Sequence, residues 1–391
     1  MKYDNVIVGA SLAGLYMGSK LAGAGKNVCI VDRRSKIGHP IRCGEATGNR
    51  MELSRFLQVD ENWIARDITG LTAHINDDYV ISREIPDAGV ILHRCRLESS
   101  LADKAIAAGA ELKLNTTITG LIAANGTLCK GVISDSGEHI EGDFIIGADG
   151  PESTIGRLAG ITRVLGLKDC ASTIEYKLES KSYNDGHLHF FAGRDTLHPG
   201  YIWVFPKEKD HLLVGGALYN RLPDGTRVSD LVHSFLQKRF PGIRYGDMIT
   251  GSIPILESPR RLTIGNVLVV GDSARQCNPL TAGGIMNTLE AAEMAIESLL
   301  NCSKGETEKL SAYSRSWRKK QRKQQKLFLL LREIIMDSSD TQIIKVLQDS
   351  SKIINSAPDR SKPFSIPAIA LIAVLVRLMP RFFKHSAILF R

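Results

Sequence analysis

Asn5-Val6-Ile7-Val8-Gly9-Ala10-Ser11-Leu12-Ala13-Gly14, a helical stretch to about Ala24, then Val28-Cys29-Ile30-Val31-Asp32, decide the fold of this 391-residue chain. Asn5–Val8 is short and apolar, as a parallel strand buried on both faces should be. Val28–Val31 repeats that character and ends on an acid. Strand, glycine turn, helix, strand and acid within about 30 residues form a dinucleotide-binding βαβ unit. Gly9 permits the tight turn and Gly14 lets helix and strand approach closely. The helix N-terminus offers free N–H groups to a pyrophosphate. Asp32 is placed to accept hydrogen bonds from a ribose diol, with Arg33 beside it as a further cofactor contact. Ser11 stands where the fingerprint has its second glycine, and its hydroxyl is a candidate phosphate contact.

Later segments end in similar turns. Phe144-Ile145-Ile146-Gly147-Ala148-Asp149-Gly150 continues through Ser153 and Arg157 as G-A-D-G-x-x-S-x-x-x-R. Asn266-Val267-Leu268-Val269-Val270-Gly271-Asp272-Ser273-Ala274 is a buried strand closing on a Gly-Asp turn. It leads through Asn278–Ile285 into a helix reaching about Leu300. Leu92–Glu98 opens another helix, running to about Ala108, whose Arg94 can reach a phosphate or ribose. Asp272 suits a ribityl hydroxyl. Gly283, Gly284 and Ile285 bring backbone N–H groups and a positive helix end to the N1–C2=O edge of a flavin, which favours its reduced form. Three strand-ending Gly/Asp turns, in this order and spacing, point to FAD.

These motifs resemble the FAD-dependent superfamily that includes aromatic hydroxylases, halogenases and geranylgeranyl reductases. The resemblance covers residues 1 to about 300. Pro40-Ile41-Arg42-Cys43-Gly44-Glu45 is similar to the geranylgeranyl reductases within it. So is Pro199-Gly200-Tyr201-Ile202-Trp203-Val204-Phe205-Pro206-Lys207, with Val214-Gly215-Gly216 after it. The resemblance implies reduction of isoprenoid double bonds by hydride transfer from reduced FAD, with Tyr201, Trp203 and Phe205 lining the substrate cavity. It implies that the adenine-contacting strand includes Ile118. It brings Arg42, Cys43 and Gly44 to the ring, where Cys43 is a candidate for proton delivery or flavin tuning; Tyr201 and Trp203 are counted with it as candidate catalytic residues.

Tyr201, Trp203 and Phe205 alternate as on one face of a strand. With Thr173–Leu178, Leu188–Ala192 and Leu212–Leu218 they predict an antiparallel sheet beside the nucleotide domain. His187 and His189 have a spacing that suits a metal, but no carboxylate or third histidine stands in register, so no metal is expected.

The expected fold class is α/β, with three parts. A Rossmann-type FAD-binding domain spans 1–165 and 255–300, a sheet-rich substrate domain spans 166–254, and a helical region spans 301–391. The net charge of +8 is uneven, because residues 309–391 carry 17 Lys or Arg against 5 Asp or Glu. That tail mixes cations with apolar runs, Leu327–Leu331 and Ala368–Val376, the latter followed by Arg377, Pro380, Arg381, Phe382, Phe383 and Lys384. The nine residues of 368–376 fall short of the roughly 20 needed to span a bilayer. An interfacial helix on anionic lipid fits better than a nucleic-acid partner, because the charge is not on the domain carrying the motifs. Packing of the tail on the protein or on a dimer partner is the alternative. Seven scattered cysteines without a C-x-x-C suggest a reducing compartment and no iron–sulfur cluster. A cytoplasmic protein, peripheral on the inner face of the cytoplasmic membrane, is expected. No second dinucleotide fingerprint is visible, so the electron donor is NAD(P)H bound transiently, or a ferredoxin or other protein. The rival activities are an FAD-dependent monooxygenase or halogenase, and a flavin dehydrogenase feeding a quinone.

Overall fold

The apolar runs at 5–8, 28–31, 144–147 and 267–269 pair side by side because each is unable to leave either face in water. The computed structural model describes residues 2–355 apart from 124–126, 220, 221, 223, 304 and 305. In chain order the elements begin with β1 (Lys2–Val8), α1 (Leu12–Gly23), β2 (Val28–Val31), β3 (Ala46–Thr47) and α2 (Arg50–Leu53). Next come β4 (Ile64–Ile75), β5 (Tyr79–Leu92), α3 (Arg94–Ala107), β6 (Glu111–Lys113), β7 (Ile118–Ala123), β8 (Cys129–Ser134), β9 (His139–Gly147) and α4 (Thr154–Leu158). The second half holds β10 (Cys170–Glu179), β11 (His187–Gly193), β12 (Leu197–Glu208), β13 (His211–Leu218), α5 (Val228–Arg239) and β14 (Tyr245–Pro254). It ends with β15 (Thr263–Ile264), β16 (Val267–Val269), α6 (Ile285–Leu300), α7 (Thr307–Asp337) and α8 (Asp340–Asn355).

Two eight-stranded sheets result. The first runs β15-β16-β9-β1-β2-β6, with the β7–β8 pair attached through β9. Its strands β16, β9, β1, β2 and β6 are parallel, and Val8 is in register with both Val31 and Gly147, which in turn pairs with Val269. The strands therefore stop on one line. Their turns, at Gly9, Asp32, Asp149 and Asp272, share one rim, where β1 has neighbours on both sides and a doubly wound sheet binds its ligand.

The second sheet runs β14-β10-β13-β12-β11-β4-β5-β3 and is mostly antiparallel. The predicted strands β10, β11 and β13 are all present. The span 1–165, read as one nucleotide domain, gives β3, β4 and β5 to this second sheet, so the chain crosses between sheets early. Strand β11 pairs with β4 in parallel, a contact between residues more than 100 apart that no local pattern announces. One face of the second sheet packs under α5 around Ile174, Phe191, Val204 and Val214. The other carries Trp203, Phe205, Leu213 and Ala217.

Helix α7 belongs to the body of the protein. Leu310, Tyr313, Trp317 and Gln321 form its buried stripe, and the Tyr313 hydroxyl donates to the Val269 carbonyl at 3.0 Å. Arg318, Lys319 and Lys323 lie on its exposed side. Residues 356–391, including the apolar run 368–376 and the cations after it, lie outside the described residues.

Candidate functional site

Gly9 sits at φ +110°, and a Cβ there would run into the carbonyl oxygen of Ala148. A Cβ on Gly14 would strike the carbonyl of Gly9. Both glycines are thus required for β1, α1 and the Asp149 turn to meet. Asp32 is buried at the end of β2, where its Oδ2 accepts from the Ala10 amide at 2.6 Å. Arg34 covers the rest of that carboxylate, donating from its backbone at 2.8 Å and from Nε and an Nη at 3.0 Å each. Burial works against the charge on Asp32, but the Arg34 hydrogen bonds and charge outweigh it and hold the carboxyl below its usual range. Both Asp32 oxygens are thus engaged by the protein's own donors. Arg33 points out to an exposed pair with Glu152 at 3.4 Å.

Ser11 caps α1 in an extended conformation at φ −102°, so no strain attends the missing glycine. Its hydroxyl is not turned to the helix start. It donates to Glu98 Oε1 on α3 at 2.6 Å. Arg94 donates to the same oxygen at 2.6 Å, and Glu98 is fully buried. Sequence reading named Arg94 but missed Glu98 and Arg34, since acids and bases at helix spacing resemble a solvated face.

Arg94 links this cluster to the loop after β2. Its amide donates to Glu45 Oε1 at 2.8 Å, and its Nη1 approaches the Cys43 sulfur at 3.6 Å. Its Nε is buried without a partner among the described residues. Glu45 takes a left-handed φ of +59°, a strained position for a non-glycine residue. A buried ion pair with Lys207 of β12 helps hold it there. Cys43, half-buried, accepts from the Glu45 amide at 3.3 Å, and burial pushes its thiol pKa up against the opposing charge of Arg94.

Across the rim, Asp149 spends both oxygens on the protein: one accepts from the Ile155 amide and the other from the Ser273 hydroxyl, both at 2.9 Å. It clips two strand-end turns together. Asp272 differs. It is half-buried, burial raises its pKa, and the opposing charge is Arg94; no donor among the described residues is bonded to its carboxylate. Gly284 lies beside it and caps α6 without a side-chain bond, and among the described residues the first amides of Gly284, Ile285 and Met286 have no acceptor. Gly283 is exposed on the same turn. Ile118 is buried at the start of β7.

The second sheet supplies the facing wall. The Tyr201 hydroxyl donates to the Thr281 carbonyl at 2.6 Å and Tyr219 to that of Leu280 at 2.7 Å, tying the aromatic strand to the loop before α6. Phe205 meets Phe190 edge-on at 5.3 Å. Trp203 Nε1 donates to Glu175 at 2.9 Å. Arg42 is exposed, and a Cβ on Gly251 of β14 would stand 3.8 Å from its side chain. Gly44 lies over the wall, where a Cβ would stand 3.4 Å from both Phe205 and the Trp203 nitrogen. His187 and His189 do have carboxylate partners, Glu84 and Asp185 at 2.9 Å, and His189 bonds His74 at 3.2 Å. These partners, unseen in the sequence, come from β4, β5 and a turn. No group of three metal-ligating side chains occurs among the described residues.

An open helix N-terminus, a donor-free half-buried carboxylate, an orphaned guanidinium nitrogen and a glycine cleft on one rim fit FAD. Residues 2–194 match the family described as FAD binding domain, and residues 169–253 match the geranylgeranyl reductase catalytic domain. A digeranylgeranylglycerophospholipid reductase of Methanothrix thermoacetophila is 33% identical, over 97% of both chains. One from Methanosarcina mazei is 32% identical over 81% of both. Among solved structures, a geranylgeranyl bacteriochlorophyll reductase-like protein from Thermoplasma acidophilum has a TM-score of 0.87 at 22% identity, covering 99% of both chains. The halogenase PltM has 0.72 at 16% identity, covering 99% of this chain and 96% of its own, which shows a shared fold. This chain belongs to the geranylgeranyl reductase family of FAD-dependent oxidoreductases.

Proposed function

We propose that the protein saturates carbon–carbon double bonds in the isoprenoid chains of a glycerophospholipid. The observation that carries this reading is the aromatic wall of Tyr201, Trp203, Phe205 and Phe190, set against the loops at 42–45 and 278–284. Such a wall suits an apolar chain, which it aligns and shields from water. Bound FAD supplies the hydride once reduced. An isolated alkene accepts hydride poorly, so close alignment by the protein must lower much of the barrier. Glu45, held by Arg94 and Lys207, positions Cys43 and Gly44, and Tyr201 positions the turn before α6.

The test is anaerobic. FAD-loaded protein reduced with dithionite is mixed with a digeranylgeranyl phospholipid in detergent, and the lipid is read by mass spectrometry. Stepwise gain of hydrogen pairs is expected. Oxygen-dependent hydroxylation in a parallel aerobic reaction, halide dependence, or an unchanged lipid with a fully FAD-loaded sample would overturn the reading.

The reading extends to supply and place. The electron donor is NAD(P)H or a ferredoxin-like protein. The basic and apolar segment 364–391 holds the protein at the inner face of the cytoplasmic membrane, where the substrate lies. The net positive charge of residues 309–391 supports this. No helix among the described residues is long and apolar enough to cross a membrane.

A further inference from the structure

Glu175 lies in the strand Thr173-Ile174-Glu175-Tyr176-Lys177-Leu178, whose alternation reads as a core face and a solvated face. Sheet pairing decides otherwise. Glu175 is in register with Gly215 of β13, and Gly215 with Trp203 of β12. The three positions share a face, and the middle one has no side chain. The Trp203 indole lies across that gap, so that a Cβ on Gly215 would collide with the ring. Its N–H thereby reaches Glu175 Oε2 at 2.9 Å. Glu175 is left with 7% exposure, on the wall that faces the flavin loops. A Cβ at Gly44 would stand 3.6 Å from Oε2. No donor among the described residues is bonded to Oε1, which leaves that oxygen to carry a proton.

We propose that Glu175 is the acid that supplies the proton in the double-bond reduction; this rests on the isoprenoid reading above. The π pair of the alkene takes the Glu175 proton, one C–H bond forming as the carboxyl O–H bond breaks. The other C–H bond forms with hydride from the reduced flavin, the two-electron reductant. The carboxylate regains its proton from water before the next turnover. Trp203 is a positioning residue, fixing the carboxyl with its free oxygen turned away from the indole.

The surroundings keep the acid protonated. Burial is the largest cause; the Trp203 bond opposes it, the negative charge of Glu45 adds to it, and Lys207 opposes it. Together they push the Glu175 pKa up to about 8. Cys43 from the loop, Arg94 from α3, Tyr201 of the same strand as Trp203 and Asp272 at the rim are further titratable or charged groups on this side. A neutral carboxylic acid at neutral pH is the form an acid catalyst needs.

The experiment compares FAD-loaded wild type, Glu175→Gln and Trp203→Phe. Infrared spectra should show a protonated carboxyl band in the wild type, titrating near pH 8 and missing from Glu175→Gln. In Trp203→Phe its midpoint should rise, because the indole N–H favours the ionised form. With dithionite-reduced enzyme and a digeranylgeranyl phospholipid, Glu175→Gln should lose a factor on the order of 10² to 10⁴ in kcat. The alkaline limb of the wild-type pH profile should vanish with it, and the yellow flavin spectrum should persist. An active wild type with an equally active Glu175→Gln, or no band removed by that change, overturns the proposal alone. An inactive wild type sinks the isoprenoid reading and the proposal with it. Should Glu175→Gln fail to retain FAD, Trp203→Phe decides: an alkaline limb moved to higher pH supports the proposal, and an unmoved one overturns it.

Discussion

The Ser11 hydroxyl donates to Glu98 Oε1 at 2.6 Å, joining the first turn of α1 to the middle of α3. The residue that departs from the glycine fingerprint is thus part of a buried polar cluster. Ser11→Ala removes one donor from a buried carboxylate and should cost about 1–3 kcal/mol. Glu98→Ala strands Arg94 and should cost more, about 3–5 kcal/mol. Denaturant unfolding measures both, and the order should be Glu98→Ala below Ser11→Ala below wild type. Equal stabilities would mean that the cluster contributes nothing.

Gly215 is the gap through which Trp203 reaches Glu175. Gly215→Ala forces the indole aside and should cost about 1–3 kcal/mol by overpacking. Lipid reduction should fall while FAD stays bound, and the tryptophan emission should shift. Gly23→Ala, where a Cβ meets nothing within 4 Å, is the control and should be neutral or slightly stabilising. A Gly215→Ala protein with wild-type emission and turnover would contradict this packing.

His74 stacks on Phe191 with ring centroids 4.0 Å apart and bonds His189. Burial, then the charges of His189 and Arg239, lower its pKa from 6.5 to about 4 against the pull of Asp185 and Asp77. A depressed folded pKa gives stability that is full above 6.5 and lost as pH falls toward 4. The slope is at most about 1.4 kcal/mol per pH unit, and less here because the ring is only half-buried. Glu175 has the opposite sign: its folded pKa is raised from 4.5 to about 8, so its contribution is full below 4.5 and is lost as pH rises toward 8. Stability measured at a series of pH values should therefore lose its rising component between 4 and 6.5 in His74→Phe, and its falling component between 4.5 and 8 in Glu175→Gln, the two opposing each other where the windows overlap. Unaltered slopes in either variant would refute its assignment.

The basic, apolar end of the chain should act as a separable anchor. Deletion of residues 364–391 should move the protein from the membrane to the soluble fraction while leaving it yellow. An unchanged distribution would assign the segment to packing on the protein or on a second copy.

Local chemistry wrote the nucleotide half into the sequence. A strand that must be buried on both faces, a turn only glycine can make and an acid at the strand's end are short-range demands, so β1, α1, β2 and the turns at Asp149 and Asp272 were legible without coordinates. The aromatic alternation of β12 was legible for the same reason. Tertiary structure alone decided which charges are buried: Glu175 looks like a surface residue until β13 and β12 bring Gly215 and Trp203 alongside it. It also decided that Ser11 serves Glu98, that Arg34 rather than Arg33 guards Asp32, and that β4 and β5 leave the nucleotide segment for the second sheet. Pairing between strands more than 100 residues apart leaves no periodic trace in either strand, because alternation records that a face is covered and not what covers it.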